Sequence, residues 1–165
     1  MLDPLTWLPT RERFERRLAL AVRHIRRSRS VLAVLAIDLD RLDSVSAQLG
    51  RELGDRVVRE AAARMARALS SGATLARLQS DDFVAFVEVA DLAHAASEAG
   101  RIVERCREPY VIDCLAVPAT VSIGIALCAS PAEDPASLMA RAERALVEAK
   151  IRGRDGFYPG AAIRA

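Results

Sequence analysis

The sequence predicts an α+β domain: a mixed, mainly antiparallel sheet flanked by helices. Three observations lead there. Helical and strand patterns alternate along the 165 residues. Two pairs of short strands are joined by tight turns, hairpins that a doubly wound parallel sheet would not need. One strand is an unbroken apolar run, the pattern of a central strand covered on both faces.

The elements follow in order. Thr10 is placed to cap a helix running to about Ser28, with Phe14, Leu18, Val22 and Ile25 at helical spacing. Its other face carries Arg13, Arg16, Arg17, Arg23, Arg26 and Arg27, read as a solvated face. Residues 31–37 form the apolar strand, which ends in Asp38-Leu39-Asp40. A long helix over about 52–69 places Leu53, Val57, Ala61, Met65 and Leu69 on one side, and Ser70-Ser71-Gly72 breaks it. Strands 74–78 and 83–89 flank Gln79-Ser80-Asp81-Asp82 as a hairpin turn. Asp91 caps a third helix with Leu92, Ala95, Ala99, Ile102 and Val103 inward, stopped at Glu108-Pro109. A short hairpin over 110–113 and 115–117 precedes an apolar strand at 120–128. Asp134-Pro135 starts the last helix, which carries Leu138, Ala142, Ala145, Leu146 and Ala149 and ends near Gly153. Phe157-Tyr158 is a final short strand.

Composition bounds the function. Hydrophobic residues make up 52% and charged residues 28%, a globular balance, and the length suits one domain. A net charge of +2 is too small to argue for nucleic acid or an acidic membrane as partner. The longest apolar run is too short to span a bilayer. Cys106, Cys114 and Cys128 are odd in number and lack C-x-x-C spacing. With nothing resembling a signal peptide, a reduced, cytoplasmic compartment is expected, each thiol serving as a small buried apolar group.

Carboxylates collect at two places. Asp38 and Asp40 end the central strand, where a period of two sends both side chains to one side. Asp81 and Asp82 lie in the hairpin turn. If the two strands are neighbours, carboxylates from both places can share one Mg²⁺, which takes oxygen ligands and usually phosphates as well. Aspartates at strand ends also simply start turns, so spacing alone leaves both readings open.

Six segments decide further. Asp3-Pro4-Leu5-Thr6-Trp7-Leu8-Pro9-Thr10-Arg11 resembles the D-x-L-T-G-L-x-N-R opening of GGDEF domains, the diguanylate cyclase family. Asp38-Leu39-Asp40 resembles their D-x-D strand end, and Gly50 with Gly54-Asp55 their G-H-x-x-G-D segment. Arg77-Leu78-Gln79-Ser80-Asp81-Asp82-Phe83 stands where the family has R-Y-G-G-D/E-E-F. Thr120-Val121-Ser122-Ile123-Gly124-Ile125-Ala126 resembles T-x-S-x-G-x-A. The stretch from Ala142 to Lys150 with Gly153-Arg154-Asp155 resembles A-D-x-A-L-Y-x-A-K-x-x-G-R-N. The resemblance runs nearly end to end and in register. It implies a nucleotide-cyclase or polymerase-palm fold with a ferredoxin-like core. It also implies a site for GTP with Mg²⁺, two such domains facing each other to make cyclic di-GMP. On that basis Asp38, the Leu39 carbonyl and Asp81 are the implied metal ligands, Asp81 and Asp82 the signature acids, Ser46 and Asp55 the guanine-facing positions, and Lys150 and Arg154 the contacts to terminal phosphates. Lys150 is the one lysine among 24 Lys and Arg residues, and a compact ammonium suits a triphosphate. A helix-end lysine offsetting the dipole is the plainer reading.

The departures are specific. Gln79 and Ser80 replace the two signature glycines, which allow positive φ and close approach of a ligand. Asp43 stands where the family has lysine. Ser46 replaces an asparagine and cannot present an amide's paired donor and acceptor. Ala47 and Arg51 replace an Asp and a His, and Trp7 and Thr10 a Gly and an Asn. The product-inhibition R-x-x-D reads Ser70-Ser71-Gly72-Ala73, so no inhibitory cyclic di-GMP site is expected there. Residues 1–158 thus read as a degenerate GGDEF domain and 159–165 as a connector. The expected function is regulatory or assembly, with GTP still a candidate ligand and a sensor or phosphodiesterase (EAL) domain or a second copy as candidate partners. An active cyclase with an altered signature, and an interaction scaffold using the arginine-rich first helix, are the alternatives.

Overall fold

The computed structural model describes residues 1–25 and 30–160. The chain runs α1 (Arg11–His24), β1 (Val31–Leu39), α2 (Leu42–Leu49), α3 (Arg51–Ala68), β2 (Thr74–Gln79), β3 (Asp82–Val89), α4 (Leu92–Arg107), β4 (Tyr110–Ile112), β5 (Leu115–Val117), β6 (Val121–Cys128), α5 (Pro135–Ile151) and β7 (Gly156–Pro159). The main sheet has the order β2-β3-β1-β6-β7, antiparallel except for the β6–β7 pair. The predicted mixed, mainly antiparallel sheet with helices on it is the observed fold.

β1 is central, and both its faces are buried. Ala33, Leu35, Ile37 and Leu39 enter one core with α3 and α4 residues such as Val57, Met65, Ala99 and Ile102. Leu32, Val34 and Ala36 enter the other with Phe14 and Leu18 of α1 and Leu138 and Ala142 of α5. Period-two alternation therefore sorts an all-apolar strand between two cores, which explains its lack of amphipathic pattern. The Asp91 and Asp134 carboxylates accept the His94 and Ser137 amides, as their N-cap positions predict.

Several expectations are corrected. Thr10 sits at the N-cap position but makes no side-chain cap; its hydroxyl donates to the Met1 carbonyl at 3.4 Å instead. The expected extension of α1 to Ser28, with Arg26 and Arg27, lies outside the described residues. α2 is an additional helix, joined to α3 through Gly50 at φ 92°, a value glycine adopts without strain. Its single buried residue is Leu42, too short an apolar signal to predict it. Leu92 is exposed at the first turn of α4. Cys106 and Cys128 are buried, but Cys114 is exposed because it occupies the β4–β5 turn, with φ 68°.

Arginines from α3 and α4 close each other's C-terminal ends. Arg101 Nε donates to the Ala68 carbonyl at 3.0 Å, and Arg64 donates to the Pro109 carbonyl at 3.1 Å. Beside them the fully buried Glu98 accepts from the Ser70 amide (3.1 Å) and hydroxyl and pairs with Arg101, with His94 at 3.6 Å. Ser70 brings into this network the segment that stands in place of the R-x-x-D motif. Burial alone would raise the Glu98 pKa; the bonds from Ser70 and Arg101 outweigh it and hold it below the ordinary 4.5. A depressed carboxyl pKa contributes stability that is present above 4.5 and lost as pH falls through the lowered folded-state value. Urea midpoints should therefore fall as pH drops below 4.5, and Glu98→Gln should flatten that fall. An equally steep fall in the variant would contradict the assignment.

Candidate metal and phosphate site

Strand register builds the acidic site. Asp38, at the end of β1, stands directly opposite Asp82, the first residue of β3. The Leu39 amide donates to the Asp81 carbonyl at 3.0 Å, drawing the β2–β3 turn onto the end of β1. One oxygen from each of Asp38, Asp81 and Asp82 lies within 4.8 Å of the others. Like charges directly opposite on neighbouring strands are destabilising. Lys150, in the last turn of α5, answers part of this charge: its Nζ lies 2.7 Å from Asp38 Oδ2.

Burial raises the Asp38 pKa, Lys150 opposes that, and Asp81 and Asp82 add to it; the net effect is upward. Asp81 is also raised, first by burial and then by Asp82 and Asp43, against the opposing pull of its own backbone amide and of Lys150. Asp43 is exposed in the first turn of α2, where a carboxylate favours the helix N-terminus. Three hard oxygen donors on facing strand ends fit Mg²⁺, which takes carboxylates together with phosphate oxygens.

The turn itself is altered in shape and bonding. β2 and β3 pair down to Gln79 and Asp82, with an irregularity between Arg77 and Gln79. That leaves Ser80 and Asp81 as the turn. Ser80 carries its Cβ at φ 31°, a region where side chains are strained. Gln79 Nε2 donates to Asp82 Oδ2 at 3.1 Å, occupying one oxygen of the acidic set. Arg77 locks the turn from behind: Nε and Nη2 donate to the Ser80 carbonyl at 3.0 and 2.7 Å, and Nη1 to Asp3 Oδ1 at 3.1 Å. Asp3 also accepts from the Thr6 amide and hydroxyl. The opening loop is thereby stapled to the signature turn, although Trp7 must adopt φ 60° to make it.

Asp40, one residue past the end of β1, does not join Asp38 at the metal position, contrary to the expectation from strand periodicity. It is buried, and its oxygens accept from Thr120 Oγ1 and Ser122 Oγ, each at 2.7 Å, and from the Asp155 amide at 3.2 Å. Arg154 Nε lies 3.9 Å from Asp40 Oδ1. Asp40 thus ties the end of β1 to β6 and to the loop after α5. Sequence reading missed this role; the signal was present in Thr120 and Ser122, two hydroxyls spaced by two on one strand face.

The positions implied to read a base form a second group on α2 and α3. A Cβ added at Gly54 would lie 2.3 Å from Ser46 Oγ, so the Ser46 hydroxyl rests on the backbone just before the half-buried Asp55. Glycine at 54 is what lets the two helices approach there. Of the implied phosphate contacts, Lys150 reaches the acidic cluster and Arg154 faces Asp40.

Residues 1–156 match the family described as diguanylate cyclase, GGDEF domain. The chain is 37% identical over 155 residues to MucR of Pseudomonas aeruginosa, a bifunctional diguanylate cyclase/cyclic di-GMP phosphodiesterase. It is 28% identical over 155 residues to PdeR of Escherichia coli, a cyclic di-GMP phosphodiesterase. These matches cover 94% of the chain but only 23% of either relative, so the chain spans about a quarter of their length. A solved structure of the GGDEF domain of TpbB (YfiN) from Pseudomonas aeruginosa superposes with a TM-score of 0.91 at 33% identity, covering 98% of this chain and 95% of that one.

Proposed function

The chain belongs to the GGDEF family of diguanylate cyclase domains, and from that premise we propose that it is a catalytically silent member acting as a regulatory or assembly module in cyclic di-GMP signalling. The observation that carries this reading is the β2–β3 turn. Gln79 spends its amide on Asp82, and Ser80 puts a side chain where the resemblance implies bare backbone. Asp43 adds negative charge beside Asp81 where a cation is implied. Loss of one well-placed stabilising group costs about 10²–10³ in rate, and here several are altered together.

The anchoring half of the site is retained. Asp38, Asp81 and Asp82 would hold Mg²⁺, and the Leu39 carbonyl would be a further ligand. A divalent ion held by these residues would supply positive charge to offset the negative charge of a phosphate group. Lys150 and Arg154 supply positive charge at the end of α5 for a triphosphate. Asp55 can accept from a guanine edge, whereas the single hydroxyl of Ser46 replaces an amide's two-sided recognition. GTP binding without turnover is the behaviour this combination supports, as a ligand that biases a neighbouring domain. MucR and PdeR are both named for cyclic di-GMP phosphodiesterase activity, which supports a phosphodiesterase (EAL) domain as that neighbour; the compartment we propose is the cytoplasm. No helix among the described residues is long and apolar enough to cross a membrane.

Calorimetric titration of the purified chain with GTP and Mg²⁺ should give a saturable heat, with no cyclic di-GMP accumulating on chromatography of the same samples. Product that disappears in Asp81→Ala would establish the alternative, an active cyclase, which the intact acidic cluster favours.

A further inference from the structure

We propose that Lys150 is the resident cation of the acidic cluster, and that its ammonium and a divalent metal compete for Asp38. The Nζ–Oδ2 separation of 2.7 Å is that of a direct charge-assisted hydrogen bond. Asp38, Asp81, Asp82 and, further out, Asp43 crowd this end of the sheet, and Lys150 opposes the upward shifts of both Asp38 and Asp81. Of the other cations at the α5 end, Arg154 faces Asp40 and Arg152 stacks over the Tyr158 ring instead. A Mg²⁺ ion binds a carboxylate oxygen at about 2.0–2.1 Å. An ion on Asp38 Oδ2 would therefore sit close against the ammonium that shares that oxygen, and the two positive charges would repel. The lysine stem can yield: its side chain is 32% exposed and projects from the final turn of the helix. Arginine elsewhere in the chain offers a broad planar fork, whereas an ammonium is a compact point charge suited to one carboxylate oxygen.

Metal alone then binds weakly, because it must first displace a cation that the fold already supplies. An anionic ligand that draws the ammonium off Asp38 relieves this competition. That second step rests on the triphosphate reading above; the competition itself does not.

The single lysine makes the test direct. The chain labelled with ¹³C at lysine Cε gives one side-chain signal. Titration with MgCl₂ at constant ionic strength should move it along a saturable curve toward the position of free lysine, and Asp38→Asn should abolish the response. By electron paramagnetic resonance, Lys150→Met should bind Mn²⁺ about tenfold or more tightly than the parent chain, from the loss of one adjacent positive charge. Lys150→Arg, which keeps a cation, should stay near the parent. A lysine signal that stays fixed over MgCl₂ concentrations that displace Mn²⁺ from the parent chain overturns the proposal. So does Lys150→Met binding Mn²⁺ no better than the parent, or neither protein binding it. If Lys150→Met fails to fold, the lysine signal of the parent chain still decides. A GTP titration without heat, alongside an intact metal–lysine competition, would remove the nucleotide reading and leave this inference standing.

Discussion

Gly124→Ala should lower the stability of the domain by roughly 3 kcal/mol or more, the upper end of overpacking costs. β6 and α5 meet backbone to backbone at this residue. A Cβ there would lie 2.1 Å from the Leu146 amide nitrogen and 2.2 Å from the Ala142 carbonyl oxygen. Neither is the free end of a side chain, so relief requires moving α5 as a body. For a domain of this length the loss corresponds to a melting temperature about 6–12 °C lower. α5 also carries Lys150 and leads into the loop bonded to Asp40, so the same displacement should loosen the acidic site. Thermal unfolding of Gly124→Ala, with Gly100→Ala in α4 as a comparison whose added Cβ meets only Phe157 Cε1 at 3.8 Å, an ordinary contact, checks the packing argument. A variant at 124 that melts with the parent would refute it.

Restoring the signature should create activity. A chain carrying Gln79→Gly, Ser80→Gly, Asp43→Lys and Ser46→Asn should form cyclic di-GMP from GTP at least about a hundredfold faster than the parent, the scale of one regained transition-state interaction. Each change answers a feature of the structure. The first frees Asp82 Oδ2 from the Gln79 amide, and the second removes the strained Ser80 Cβ. The third removes the Asp43 charge, which adds to the upward shift that burial and Asp82 already impose on the Asp81 carboxyl. The fourth returns an amide beside Gly54, where space is tight enough that α2 must adjust slightly. Asp81→Ala in the restored background should abolish the gain. A restored chain that binds GTP and still makes no product would place the defect outside these four residues.

Much of the architecture was legible because its signals are local. The long helix now defined as α3 showed apolar residues four apart, and the capping aspartates at 91 and 134 lie within three residues of the amides they satisfy. α2 was not legible, since a short helix with one buried side chain has almost no periodicity to read. At the site, Asp38, Asp81 and Asp82 were all candidates, and register across β1 and β3 brings them together. Asp40 shared the sequence signal of Asp38 but not its role. Its fate depends on Thr120, Ser122 and Asp155, which are distant in sequence and meet it only in the folded sheet.

The sequence by itself determined the family, the order of nearly all elements and the chemical types gathered at the strand ends, because periodicity and motif spacing are properties of the chain. Only the tertiary structure decided which carboxylates face one another, that Gln79 turns onto Asp82, and that Lys150 rests on Asp38. Electrostatic interaction depends on distance through space, and residues far apart along the chain acquire that distance only when strands pair and α5 packs on the sheet.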